Sequence, residues 1–427
     1  MRPRADLLIR KARILDPGEG RDEIADLLVE KGRLVRIGAS LDAPGAEMHD
    51  AEGLWLMPGL VETCAHLPEP GHHRNGTIAS ETRAAARGGV THLCAMPDTD
   101  PVIDTAAVVR LIRERAMRAG FARVLPLGAL TPGLEGKLLA EMQTLREAGC
   151  IGASNGGRPV RDTLVLKRCL EYAATFDLPV MLRPRDGALA AGGCAHDGAV
   201  ATRLGLAAVP AVAETLDLAR ILQLVAATGV RAHFHQLSSG ASLRLLRQAK
   251  ADGLPVTADV SIHHLLLDER AVEQFNSLCH IDPPLRGEAD RQALLEGVAD
   301  GTLDAICSQH LPLSESAKLA PFPDSSAGIS GIETLLPLVL HLVEQESLPL
   351  MRALDAVTRA PARCLGVDAG HLETGRKASL CLIDPNARGI PREEWLSAGR
   401  NSPWLQRELP GRIRMTVCEG KVTWLSD

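Results

Sequence analysis

Aromatic residues are almost missing from this chain: they make up 2% of its 427 residues, and there is a single tyrosine. The core must therefore be packed from Leu, Val, Ile and Ala, and the aromatic platforms on which single-stranded nucleic acid stacks are not available. A basic excess is lacking too. The net charge of -6 favours solubility and gives no electrostatic footprint for nucleic acid. Ten cysteines are scattered without a C-x-x-C pair, so they are expected as reduced thiols of a cytoplasmic protein. Long apolar runs are absent as well. The N-terminal "MRPRADLLIRKARILD" is broken by charge, and "GIETLLPLVLHLVEQ" is too short to cross a bilayer and fits a buried helix, so no membrane association is expected.

What is present is ordinary globular material, with 45% hydrophobic and 23% charged residues. Residues 6–57 alternate short apolar runs with turns, and hairpin signals fall at Lys31-Gly32 and Glu52-Gly53. From Pro58 the texture changes to apolar runs such as "THLCAMP", "RVLPLGAL" and "PVTADVS", each followed by an amphipathic helical stretch such as "AAVVRLIRERAMRAG". This strand-then-helix rhythm predicts a parallel sheet with helical crossovers, closed most simply as a (β/α)8 barrel over 58–366. A doubly wound open sheet is the rival, but no Gly-x-Gly-x-x-Gly follows an early strand. Strand texture returns in "ASLCLID" and "GRIRMTVCEGKVTWLSD", so segments 1–57 and 367–427 are expected to pair into one accessory domain.

Polar residues recur where predicted strands end: His66, Asp98, Asn155, Arg183, His235, Asp282 and Gln309-His310. Any one of them is read blandly as a satisfied polar group, but their recurrence places them around one mouth. Cys64 and His66 are two apart on a strand and share a face, as metal ligands would. With His235 and His310 they are the conceivable donors for zinc, which needs three or more ligands and an open position for water. Arg183 and Arg185 oppose this reading, since a guanidinium cannot shed its proton and repels a divalent ion.

Several stretches together carry a family likeness: "PGLVETCAHLPEPG", "TIASETRAAARGGVTHLCAMPDTDPVID", "AGCIGASNGGRPVRD", "PVTADVSIHHLLLDE", "DPPLRGEADRQALLEGVADGTLDAICSQHLPLS", "GISGIETLLPL" and "GRNSPW". On these motifs the chain resembles dihydroorotase, the amidohydrolase-superfamily enzyme of pyrimidine biosynthesis that interconverts carbamoyl aspartate and dihydroorotate. The resemblance implies a TIM-like barrel with a small β-sandwich domain formed by both chain ends. It also implies a zinc site, whose positions carry other residues here. The His-x-His pair falls on Cys64 and His66, and the arginine that grips a substrate carboxylate falls on Pro68. The aspartate ligand falls on Asn155 or Gly156, and the next histidine on Arg183, while the following one is kept as His235. The acid/base aspartate falls on Gln309, beside an intact His310, and two substrate-binding asparagines fall on Asp98 and Asp282. An amide at Gln309 neither ionises nor takes a proton at neutral pH.

Scaffold motifs match while chemical positions do not, and fold alone does not carry function. The expectation is a catalytically inactive dihydroorotase-like protein without zinc. As the resemblance implies, it would be a non-catalytic partner of the aspartate transcarbamoylase catalytic chain, as a homodimer within a larger hetero-oligomer. A rebuilt hydrolase for another cyclic amide, using Cys64, His66, His235 and His310, is the alternative. A third reading has Arg183 and Arg185 hold an anionic pyrimidine intermediate; against it, both arginines are expected to pair with Asp98, Asp282 or Asp186. Tyr172, Trp395 and Trp404 are the aromatic candidates for anchoring a partner, with core packing as the alternative for Trp404.

Overall fold

The computed structural model describes residues 6–426; the outermost positions of the two end segments, 1–5 and 427, lie outside the described residues. Eight parallel strands follow one another around the body: Leu60–Ala65, Val90–Ala95, Arg123–Ala129, Gly152–Ser154, Val180–Leu182, Ala232–Phe234, Val256–Ser261 and Ala305–Cys307. The ring closes where Ala65 bridges His310 in parallel register and the His66 amide donates to the His310 carbonyl at 2.8 Å. First and last strands thus meet, which rules out the open sheet. Glu62 ties the same seam: its carboxylate accepts the backbone N–H groups of Cys64 and Ser308, each at 2.8 Å.

The strands read as unbroken apolar runs because both faces are covered. Val90–Ala95 is buried at every position. Side chains two apart on one strand fill the lumen: Cys94 with Met96, and Leu125 with Leu127, packed with Val61, Met181 and Cys307. Helix Ala106–Ala119 turns Val108, Val109, Ile112 and Ala116 inward and stops at Gly120, which takes the left-handed φ of 68° that ends many helices. The most apolar segment is the buried helix Leu335–Glu344, with Leu335, Leu336, Leu338, Val339, Leu340 and Leu342 inside. Each such side chain contributes about 1.5–3 kcal/mol on burial. Among the described residues no helix is long and apolar enough to cross a membrane.

Both chain ends enter one hydrogen-bonded sheet. Its order is Lys421–Leu425, Leu409–Cys418, Leu380–Gly389, Trp55–Pro58, Leu7–Asp16, Arg21–Glu30 and Arg33–Gly38, with Glu47–Asp50 also on Leu7–Asp16. Its two arms share a core that includes Ile9, Ile14, Leu27, Leu382, Met415 and Val417. Lys31-Gly32 makes the expected tight hairpin, with φ of 49° and 75°. Glu52-Gly53 does not. The segments on either side of it, Glu47–Asp50 and Trp55–Pro58, both run parallel to Leu7–Asp16, so this turn moves the chain along one partner instead of reversing it.

Candidate functional site

Strand C-termini and the loops after them surround a cavity of about 190 Å³, lined among others by Cys64, His66, Asp98, Gly156, Arg183, His235, Gln236, Asp282 and Gln309. Short strands deliver most of these groups: Cys64 and His66 from the first, Arg183 one residue past Val180–Leu182, His235 one past Ala232–Phe234, and Gln309 two past Ala305–Cys307. Asp282 arrives differently. It follows the short turn Ser277–Cys279 in the long excursion after Val256–Ser261, so it is not at a strand end.

Inside the mouth, charges are paired off. Arg183 and Arg185 both donate to Asp282 Oδ2, at 2.6 and 2.5 Å, and Arg183 also reaches the Asp282 carbonyl at 2.8 Å. Burial works to raise the Asp282 pKa, but the two guanidiniums win and hold its carboxyl below the usual range. Asp98 takes His66 Nδ1 at 3.0 Å; burial again opposes ionisation, and His66 and Arg183 hold its carboxyl low. Asp186 is engaged elsewhere, accepting the N–H groups of Ala188 and Leu189. Gln309 has a left-handed φ of 49°, donates its amide to the Asp282 carbonyl at 2.8 Å and leaves its buried Oε1 without a partner.

Under the mouth lies a buried network that sequence reasoning missed. Asp259 on Val256–Ser261 accepts from His233 Nε2 (3.0 Å), His235 Nδ1 (2.9 Å), Thr63 Oγ1 (2.6 Å) and the Gln236 amide (2.7 Å). Burial would raise the Asp259 pKa, but the imidazoles beside it and these donors hold its carboxyl far below its ordinary value. His233 is pushed up: burial opposes this, while Cys364 and Asp259 favour its imidazolium. His235 is pushed down by burial, against the pull of Asp259, which leaves a neutral ring with Nε2 buried and unpaired on the cavity wall. The sequence signal for this network was an acid in the middle of "VTADVS", because a buried carboxylate must have partners.

Three expected site residues face elsewhere. His310 turns from the mouth: its Nε2 meets the buried Glu81 at 3.0 Å and its Nδ1 accepts the Gly331 amide at 3.3 Å. Asn155 braces its own loop, accepting from Thr131 Oγ1 at 2.7 Å and donating to the Arg158 carbonyl at 2.8 Å, while Gly156 lines the cavity instead. Pro68 is buried, and its carbonyl accepts the His72 amide. The aromatic anchors fare likewise. Trp395 donates to the Gly399 carbonyl and Trp404 to His263 Nδ1; both are buried, so neither is free to anchor a partner, and Tyr172 packs edge-on against Phe176.

The donor set fits zinc poorly. The Cys64 thiol is pushed well above its ordinary pKa by burial and by the Asp259 and Glu62 carboxylates, and it accepts from Gln236 Nε2 at 3.0 Å, whereas zinc binds the thiolate. Of His233, His235 and Asp259, the one cluster of metal-ligand type among the described residues, every imidazole nitrogen but His235 Nε2 is already committed. Arg183 places a permanent cation on the same cavity. The charged groups of this mouth are paired with one another, and residue 309 is an amide, which neither ionises nor takes a proton at neutral pH.

A closed parallel barrel whose polar side chains gather at the strand C-termini, beside a sheet built from both chain ends, is the amidohydrolase type of architecture. L-hydantoinase (dihydropyrimidinase) from Arthrobacter aurescens superposes with a TM-score of 0.86, covering 98% of this chain and 96% of that one at 22% identity, a likeness of fold. A family profile described as "Dihydro-orotase-like" matches residues 53–242. The chain is 47% identical to the dihydroorotase-like protein of Pseudomonas aeruginosa, over 97% of this chain and 98% of that protein. It is 40% identical to the dihydroorotase of Syntrophotalea carbinolica, over 99% of this chain and 100% of that protein. This chain belongs to the dihydroorotase-like family.

Proposed function

We propose that this family member is a non-catalytic dihydroorotase-like subunit that holds no zinc and serves pyrimidine biosynthesis as the structural partner of the aspartate transcarbamoylase catalytic chain. One observation carries the loss of catalysis: Arg183, Arg185 and Asp282 form a closed ion-pair cluster in the mouth, with the Gln309 amide hydrogen-bonded to the same loop. A hydrolase of this family type needs a metal-held water and a base there; this mouth offers a guanidinium and an amide. The intact scaffold, with its closed barrel and packed end sheet, supports retention for assembly. The partner itself rests on the family likeness.

A rebuilt hydrolase for another cyclic amide is the second reading, favoured by the unpaired Nε2 of His235 on the cavity wall. The two separate in one experiment: metal analysis of untagged protein purified without chelator and supplied with zinc, alongside dihydroorotate hydrolysis. Near-zero zinc and no turnover, together with co-elution with the aspartate transcarbamoylase chain on size exclusion, are expected. Stoichiometric zinc with turnover of a cyclic amide would sink the proposal. Failure to co-elute would remove the partner and leave the loss of catalysis standing.

A further inference from the structure

The opposite end of the barrel carries a second, larger cavity. It measures about 440 Å³ and lies where the N-terminal ends of the barrel strands meet the end sheet. Residue 92 continues the inward row of Cys94 and Met96, and residue 123 the row of Leu125 and Leu127, so His92 and Arg123 form the floor of the lumen. The two face each other directly as register partners on adjacent strands. From the end sheet and the segment leading to its strand Leu380–Gly389 come Arg33, Arg376 and Lys377.

The charge balance of this cavity departs from that of the chain. A protein of net charge -6 here places four permanent cations around one space, against two carboxylates, Asp368 and Glu419. Arg376 is neutralised by Asp368 at 3.1 Å and Glu373 at 3.4 Å, and Lys377 is held loosely by Glu419 at 3.4 Å. Arg33 donates to the Gly375 carbonyl at 2.7 Å and has no carboxylate partner, while Arg123 has no side-chain partner at all among the described residues.

His92 is 6% exposed, with its Nδ1 3.0 Å from Thr91 Oγ1. That hydroxyl donates onward to the Leu60 carbonyl, so it accepts from Nδ1–H and leaves Nε2 of this cavity-lining histidine as the acceptor nitrogen, with no hydrogen bond to it among the described residues. If these groups only clamped the sheet to the barrel, Arg123 and His92 Nε2 would be spent on protein contacts. They are not.

We propose that this floor cavity is a binding site for a polyphosphate anion, either an inorganic chain or the phosphate tail of a nucleotide. Arg33 and Arg123 supply planar donor forks from the two sides, suited to bidentate contact with phosphate oxygens. A terminal phosphate, whose last proton leaves near pH 6, can share that proton with His92 Nε2. The space lies within the range of roughly 300–1,000 Å³ common for small-molecule sites. Because its walls come from both parts of the fold, an occupant would lock the end sheet to the barrel and raise stability.

The test is isothermal titration of the full chain with sodium tripolyphosphate and, separately, with ATP without magnesium, at matched ionic strength to hold screening constant. Arg123→Gln and Arg33→Gln are the variants, and Arg146→Gln, an exposed helix residue that does not line the cavity, is the control. Saturable binding of tripolyphosphate is expected, weakened about tenfold or more by each cavity variant, a loss equivalent to about 1.4 kcal/mol, and unchanged by the control. Tighter binding of ATP than of tripolyphosphate assigns the site to nucleotides, and equal affinity assigns it to the inorganic chain. No binding of either, or binding that both cavity variants leave intact, overturns the proposal. Both arginines are exposed, so their variants are expected to fold, and a melting curve checks this.

Discussion

Replacing Asp282 by Asn tests whether the mouth is held together by its own ion pairs. The carboxylate takes two guanidiniums on one oxygen, from side chains that are 13% (Arg183) and 27% (Arg185) exposed, and is itself 31% exposed. Breaking a fully buried ion pair by removing one partner costs about 3–5 kcal/mol; partial exposure screens the cluster, so about 2–3 kcal/mol is expected here. The carbonyl contacts of residue 282 survive the change, which confines the loss to charge. With a urea slope of about 4 kcal/mol per molar for a chain this long, the unfolding midpoint should drop by roughly half a molar. A double-mutant cycle with Arg183→Gln should return a coupling of about 2 kcal/mol. If Asp282→Asn unfolds at the wild-type midpoint, or the cycle closes to within about 0.5 kcal/mol, the cluster contributes no stability and the reasoning fails.

Other outcomes follow from the same groups. Burial lowers His92, His264 and His280 to about 4 and His263 to about 3, so the native state refuses protons that the unfolded chain takes, whereas burial raises Glu62 and Glu333 to about 7, so the native state holds two that the unfolded chain releases. The histidine contribution is present above about pH 6.5 and lost as pH falls toward the folded values, and it outnumbers the glutamates. Stability should therefore drop by about 2 kcal/mol per pH unit between pH 6 and 5, and a flat or rising profile from urea unfolding would contradict the burial of these groups. Alkylation with iodoacetamide at pH 8, read by peptide mass mapping, should label the partly exposed Cys194 before Cys64, whose thiol burial and nearby carboxylates keep protonated; equal labelling would mean that the mouth admits a thiolate after all. The combined variant Cys64→His, Arg183→His and Gln309→Asp should bind more zinc than the wild-type chain, measured by elemental analysis. A wild-type chain that already carries as much would show that these positions do not govern binding.

The barrel was legible because its strands and helices obey periods that sequence displays: runs buried on both faces, then stripes such as Val108, Val109, Ile112 and Ala116. The mouth was legible in part, since one polar residue just past each short strand must face the same end. Where that logic failed, the cause was local. His310 sits one residue past Gln309, whose left-handed backbone redirects the chain, and the buried Glu81 takes the imidazole. Asn155 was claimed by Thr131, across a loop whose path no spacing rule describes. Asp259, Gln236 and Glu62 were missed because their meaning lies in partners far away in sequence: Thr63 reaches Asp259 across 196 positions and Ser308 reaches Glu62 across 246. The turn at Glu52-Gly53 shows the same limit, since a glycine turn signals a change of direction without saying which strand lies on the other side.

The end sheet has a consequence for how the chain is made. Trp55–Pro58 must wait for Leu380–Gly389 to cover its outer edge, and roughly 320 residues of barrel separate them. At synthesis rates of about 5–20 residues per second, that edge stands open on the ribosome for roughly 15–60 s. An unpaired strand edge is a template for any other strand in reach, including the same segment on a neighbouring nascent chain. The newborn protein thus passes through a period in which its N-terminal strands are sticky and its last ones do not yet exist, and a ribosome stalled late in the message would leave a nearly complete barrel with one adhesive flank.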